Sequence, residues 1–280
     1  MYGRPDDLGQ ALRRLASHRP ALIAGGTDYF PARVGRPPDS DVLDLSGITA
    51  LRGIVHESGA WRIGALTTWT DVVRAGLPPA FDVLVQAALE IGGLQVQNRG
   101  TVGGNLCNAS PAADGMPALL ALDASVELAS LRGTRVLPLE AFVLGPRRTA
   151  LAPDELLVAL RLPAGSPASR SRFLKLGARR DLVISIAMVA VAIDVDAQDR
   201  AVRIGIAVGA CGPVARRLAG LEAALLGTPR DALAGAAERA LVDPAMLAPL
   251  SPIDDVRGSA GYRLDAVTTL VPRAFAGLAS

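Results

Sequence analysis

Apolar positions along the first part of the chain fall into short groups of different spacing. From Asp6, residues Leu8, Ala11, Leu12 and Leu15 recur at i, i+3, i+4 and i+7, which predicts a helix capped by Asp6. After Pro20, "ALIA" predicts a short buried strand running straight into the turn "GGTD", and "DVLDLSG" predicts a second strand closed by a turn. "LRGIVHESGAWRIGALT" predicts a hairpin about Ser58-Gly59. "TTWTDVVRAG" and "FDVLVQAALEIGG" open on a capping residue or a proline-marked turn, keep helical spacing and stop at glycine, so both predict helices.

The rhythm breaks at Thr101 to Gly115, "TVGGNLCNASPAADG", where glycine, asparagine and hydroxyl residues displace bulky apolar ones, and a polar loop is predicted. Beyond it, "DGMPALLALDA" predicts a helix, and "SVELAS", "RVLPL" and "LLVALRLP" predict strands separated by "LRGT" and "LAPDE". Helices and strands mix without strict alternation, which favours an α+β fold over a doubly wound parallel sheet. Pro163 to Ser169, "PAGSPAS", reads as a linker, so the chain divides into residues 1–168 and 169–280. In the second part, "SRFLKLGAR", "ISIAMVAVAIDVD" and "AVRIGIAVGAC" predict a three-stranded antiparallel sheet. The apolar run Ile184 to Ile193 is read as strand because valine and isoleucine crowd it. Two alanine-rich helices in "VARRLAGLEAALLG" and "PRDALAGAAERALVD" and a last one in "SAGYRLDAVTTLVPRAFAGLA" complete it.

Half of the 280 residues are hydrophobic, enough for sizeable cores. The net charge is only +2 and the 28 arginines are scattered without a basic stripe, which argues against a nucleic-acid partner. The opening "MYGRPDDLGQ" lacks the apolar core of a signal peptide, and no segment reaches about 18 uninterrupted apolar residues, so no transmembrane segment and a cytoplasmic location are expected. Cys107 and Cys211 cannot build an iron-sulfur cluster or a structural zinc site and are expected as reduced thiols that pack or line a site. His18 and His56 have no metal-ligand spacing and no serine–histidine–acid set forms around them, so neither a metal ligand nor a catalytic residue is assigned.

Two glycine pairs carry the chemistry that remains: Gly25-Gly26 directly after a strand, and Gly103-Gly104. Glycine lets backbone amides turn toward a ligand, and lets that ligand approach without a Cβ in the way. Thr27, Thr101, Asn105, Asn108 and Ser110 offer neutral donors beside them, suited to a phosphate-bearing ligand. Neither pair fits a Rossmann or P-loop pattern. Asp28 and Asp114 are the nearest acids, each either a turn or helix cap or a partner for a nucleotide's sugar hydroxyl. Lys175 is the only lysine among the 29 basic residues; it is either a chance survivor or a compact ammonium for an anionic group.

"LIAGGTDYF", "NRGTVGGNLCNASPAADGMPALLALDA", "LGPRRTALAPDELLVALRLP" and "FLKLGAR", in that order and spacing, resemble the FAD-binding medium subunit of molybdenum-containing hydroxylases. That group includes aerobic carbon monoxide dehydrogenase and the flavin domain of xanthine dehydrogenase. The resemblance implies a two-subdomain flavin fold of the vanillyl-alcohol-oxidase type over residues 1–168, and the family's C-terminal domain after it. It also implies that Leu22, Ile23, Ala24, Gly25, Gly26, Thr27, Asp28 and Tyr29, with Thr101, Val102, Gly103, Gly104 and Asn105, enfold the FAD diphosphate. Asn108 and Asp114 would hydrogen-bond its polar groups, Ile91, Leu156 and Leu157 would touch its apolar faces, and Lys175 would contact the flavin. The molybdenum cofactor would sit on a large partner subunit and two [2Fe-2S] clusters on a small one, in a dimer of heterotrimers, with electrons passing through this chain's FAD to an external acceptor. Tyr29 stands where the family more often has an aliphatic residue, and Gln97 where arginine is expected. The other readings are a stand-alone flavoenzyme of the related fold, and a non-enzymatic nucleotide-binding module.

Overall fold

The computed structural model describes residues 1–278 apart from Pro37 and Asp39. The chain opens with β1 (Tyr2–Gly3), α1 (Leu8–His18), β2 (Ala21–Ile23) and β3 (Val42–Asp44). It continues through β4 (Ile54–Glu57), β5 (Ala60–Gly64), α2 (Trp69–Arg74), α3 (Asp82–Glu90), α4 (Leu94–Gln97), α5 (Val102–Asn108) and α6 (Gly115–Ala121). Next come β6 (Ser125–Ser130), β7 (Gly133–Pro138), α7 (Leu139–Phe142), β8 (Val143–Gly145), β9 (Arg148–Thr149) and β10 (Leu156–Pro163). The remainder is β11 (Arg170–Leu176), β12 (Ala187–Val195), β13 (Ala201–Gly209), β14 (Arg216–Arg217), α8 (Ala219–Leu225), α9 (Leu233–Ala240) and α10 (Ala260–Ala276). Ala279, which closes the last predicted helix, lies outside the described residues.

The first part holds a three-stranded sheet, β1-β3-β2, with parallel pairs, and a five-stranded antiparallel sheet, β4-β5-β10-β6-β7. In the first, α1 is capped by Asp7 rather than Asp6: the Asp7 carboxylate accepts from Gln10 N–H at 2.8 Å, while Asp6 reaches only the Gln10 side chain. Two adjacent aspartates make the cap ambiguous in sequence, and the one with extended backbone takes it.

The C-terminal sheet runs β11-β12-β13-β14, four strands rather than three. The added β14 is a two-residue pairing of Arg216 and Arg217 with Val208 and Ala207, too short to leave an apolar signature. This sheet is buried on both faces. Met188, Ala190 and Ala192 of β12 join the core built around α3 and α6, and Ala187, Val189, Val191 and Ile193 join the core under α8, α9 and α10. A strand covered on both sides has no polar face, which is why its sequence reads as an unbroken apolar run.

α6 lies on this sheet at close range, for a Cβ on Gly205 would collide with the main-chain carbonyl of Ala121. Its C-terminal end is held by arginines of the second part of the chain. Arg217 donates to Leu120 O at 2.9 Å and Arg203 to Ala121 O at 2.7 Å, adding donors to carbonyls of the last turn. α3 is joined to β11 along its length: Val83 N–H donates to Ser171 Oγ (2.9 Å), Phe173 N–H to Gln86 Oε1 (2.8 Å) and Lys175 Nζ to Glu90 O (3.0 Å). Alternate residues of the strand thus meet successive turns of the helix. No helix among the described residues is long and apolar enough to cross a membrane.

Candidate functional site

After β2 ends at Ile23 the chain turns at once. Gly26 adopts φ +76°, the left-handed region open to glycine, and a Cβ on Gly25 would collide with the main-chain carbonyl of Arg99. Phe30 N–H then donates to Gly26 O and Ala32 N–H to Asp28 O, both at 3.2 Å, so the segment is the start of a helical coil. A coil's first amides lie outside its own ladder. Among the described residues, the main-chain N–H groups of Gly25, Gly26, Thr27, Asp28 and Tyr29 have no protein acceptor. Together they form a nest of donors suited to an anion.

The second glycine segment is different from its prediction. Residues 102–108 are not loop but helix α5, capped by Thr101, whose Oγ1 accepts from Gly104 N–H at 3.0 Å. Its amides are already used: Val102 N–H donates to Thr67 O and Gly103 N–H to Ala65 O, both at 2.9 Å, and Asn105 N–H to Thr101 O at 3.0 Å. Gly103 is there for contact between backbones, since a Cβ would stand 2.7 Å from Ala65 O. A Thr cap followed by two glycines reads as turn in sequence because glycine lowers helix propensity; tertiary packing against Ala65 overrides it. Thr101→Ala should therefore lower stability by about 1 kcal/mol through loss of the cap, read as a shift in the urea midpoint at unchanged slope.

The two segments line one cavity of about 460 Å³. Of the residues named from sequence, Leu22, Ile23, Ala24, Gly25, Gly26, Thr27, Asp28, Tyr29, Ile91, Thr101, Gly103, Gly104, Asn105, Asn108, Leu156 and Leu157 line it. Val102 instead points into the core and is fully buried. Sequence reasoning missed other lining residues, among them Arg33, Trp69, Val96, Arg147 and Leu151. Arg147 is typical of these: it arrives on the hairpin between β8 and β9 in a left-handed conformation at φ +58°, and its guanidinium donates to Asn108 Oδ1. Cys107 is exposed on the cavity wall, whereas Cys211 is buried and its thiol is pushed up to about 11 by that burial.

Two polar atoms at this cavity are buried without a partner among the described residues, Tyr29 Oη and Asn105 Oδ1. Buried polar atoms are nearly always satisfied, so both residues carry unmet hydrogen-bonding capacity beside the cavity.

Lys175 and Asp114 do not line the cavity. Lys175 Nζ donates to Asp114 Oδ2 and to Glu90 O, both at 3.0 Å, and Ser185 Oγ donates to Asp114 Oδ1 at 2.6 Å. Burial pushes the Asp114 carboxyl above its usual range, opposed by the Lys175 charge and the Ser185 hydroxyl. The cluster stands directly behind the wall, because Glu90 precedes the lining residue Ile91. Gln97, the other departure noted in sequence, is buried and donates to Leu89 O at 3.0 Å, at the end of α3.

Residues 1–165 match the family model described as the FAD binding domain in molybdopterin dehydrogenase, and residues 172–278 match the CO dehydrogenase flavoprotein C-terminal domain. The nicotinate dehydrogenase FAD-subunit of Eubacterium barkeri is 38% identical over 182 residues, 63% of this chain and 62% of the relative, so the chain spans under two thirds of that relative's length. The 6-hydroxypseudooxynicotine dehydrogenase complex subunit alpha of Paenarthrobacter nicotinovorans is 33% identical over 98% of this chain and 93% of its own. A solved carbon monoxide dehydrogenase from Hydrogenophaga pseudoflava superposes with a TM-score of 0.85 at 31% identity, covering 98% of this chain and 94% of that one.

Proposed function

Because the chain belongs to the family of FAD-binding subunits of molybdopterin dehydrogenases, an oxidoreductase family, we propose that it is the electron-transfer flavoprotein of a cytoplasmic, heteromeric molybdenum hydroxylase. Its partners in this reading are a large subunit with the molybdenum cofactor and a small one with [2Fe-2S] clusters, in a dimer of heterotrimers, and its electrons leave to an external acceptor. The small, cysteine-poor chain supports that division, since two cysteines far apart in sequence cannot ligate such clusters. In this reading the three-stranded and five-stranded sheets of residues 1–168 belong to the two subdomains of a vanillyl-alcohol-oxidase-type flavin fold, and residues 169–280 form the C-terminal domain.

The observation that carries the reading is the meeting of two sequence-distant glycine segments at one cavity, one of them with five unpaired amides. The amides of Gly25 to Tyr29 hold a diphosphate without a cationic cluster, and the glycines let the segment turn tightly against Arg99 and Phe30 while leaving those amides without protein acceptors among the described residues. Asn105 and Asn108 present side-chain polar groups beside it, and Ile91, Leu156 and Leu157 supply apolar wall. Bound FAD supplies a ring that takes up and releases electrons one or two at a time. The chain's own task is to fix that ring and set its surroundings. Lys175, held by Asp114 and Glu90 O, places a positive charge behind the Ile91 wall.

The test is a titration of the purified, flavin-free chain with FAD. One FAD per chain is expected, with stability rising with ligand by about 2.7 kcal/mol at a hundredfold excess over Kd. Absence of saturable binding would sink the reading. Turnover of a substrate by the yellow chain alone would favour the stand-alone flavoenzyme instead, and co-purification with iron-sulfur and molybdenum chains favours the assembly.

A further inference from the structure

We infer that Tyr29 is a positioning residue for the dinucleotide, its phenolic hydroxyl donating a hydrogen bond to an oxygen of bound FAD. The inference rests on the flavoprotein reading above and adds a side-chain donor to the main-chain amides of the same segment.

The ring is fixed before any ligand arrives. Phe30 packs perpendicular to it, with centroids 5.4 Å apart and planes at 90°, and the Arg33 guanidinium lies over the ring, 4.0 Å from its centroid. Arg33 also donates to Tyr29 O at 3.4 Å, so one residue holds both ring and backbone. Gly26 makes room for this arrangement: a Cβ there would stand 2.7 Å from the Phe30 ring. A side chain clamped in this way loses little further freedom when a ligand binds.

The hydroxyl at the end of that ring is buried, lacks a partner among the described residues, and belongs to a residue lining the cavity. A phenol can donate and accept, and a buried one left unpaired is a cost to the protein. FAD is rich in oxygen acceptors and its diphosphate is expected at the amides of this same segment. Donation by Tyr29 removes the unsatisfied group and adds a directional contact to the nest.

Tyr29→Phe keeps the ring and its stacking while deleting only the hydroxyl, and two readouts on it separate the roles. In the flavin-free protein, the melting temperature is expected to stay the same or rise, because the deleted group had no partner. In FAD titrations followed by flavin fluorescence, Kd is expected to rise about tenfold, equivalent to about 1.4 kcal/mol. A Kd within twofold of wild type would overturn the inference, as would an equal fall in the melting temperature of the flavin-free and FAD-bound forms, which marks a purely structural hydroxyl. Failure of the wild-type chain to bind FAD would instead overturn the flavoprotein reading on which this rests.

Discussion

Gly25→Ala is expected to give a protein that keeps no flavin through purification. The added methyl falls on the main-chain carbonyl of Arg99, and neither side can yield cheaply. Arg99 and Gly100 are tied by donation to Val96 O at 3.2 and 2.6 Å, and Gly100 O in turn accepts from Trp69 N–H at 3.2 Å, beside the fully buried Trp69 ring. On the other side, moving Gly25 displaces the run of amides from Gly25 to Tyr29 that have no protein acceptor among the described residues. Overpacking of this kind costs about 1–3 kcal/mol or more, and the displacement of those amides falls on binding rather than on the fold. The flavin-to-protein absorbance ratio measures the first and thermal melting the second. Full flavin content in the variant would show that the nest is not where the diphosphate sits. Gly104→Ala makes a useful contrast: its methyl meets the Thr101 side-chain oxygen at 2.8 Å, and Gly104 N–H is already committed to that cap, so flavin loss should be smaller.

Lys175→Met is expected to destabilise the protein by about 3–5 kcal/mol, the cost of leaving a buried partner charge uncompensated. Both groups are deeply buried, with side-chain exposures of 5% for Lys175 and 11% for Asp114, so solvent screening offers little relief. The pH dependence carries the diagnosis. Asp114 is already pushed up in the folded protein, and removing Lys175 deletes the main opposing cause and pushes it further. A carboxyl whose folded pKa lies above its unfolded value binds more protons folded than unfolded, so its penalty grows as pH rises through that interval. The gap between variant and wild type should therefore be widest at neutral pH and close in acid, as Asp114 protonates. Lys175→Met combined with Asp114→Asn should recover most of the loss and flatten the pH profile. A pH-independent gap would place the role of Lys175 in packing alone.

Most strands and helices were legible because their signal is local: the alternation around Ser58-Gly59, the helical spacing of Leu8 to Leu15 and the apolar run of β12 are each set by which face is buried. The failures share a cause. Thr101 to Asn108 looks like loop because its helix is held by contact with Ala65 and Thr67, which no window around it reveals. The same contact consumes the amides that sequence assigned to a ligand, so the second glycine pair shapes the cavity without donating to it. β1 and β14, two residues each, exist only through their neighbours in the sheet. Arg33 and Arg147 reach the cavity through turn geometry that spacing rules do not register. The chance reading of Lys175 gives way on geometry, since it is paired and buried, although one shell behind the wall.

The stitching of α3 to β11 bears on how such proteins can be recombined. A chimera joined in Pro163 to Ser169, with the second half taken from a relative, would keep the chain unbroken yet pair Val83, Gln86 and Glu90 with foreign residues on the incoming strand. The outer edge of β11 would then lose its cover and stand open to other chains. Modules exchanged at a seam that follows helix α3 as well as the strand would inherit matched surfaces, so the unit of exchange is set by that seam rather than by the proline-rich crossing.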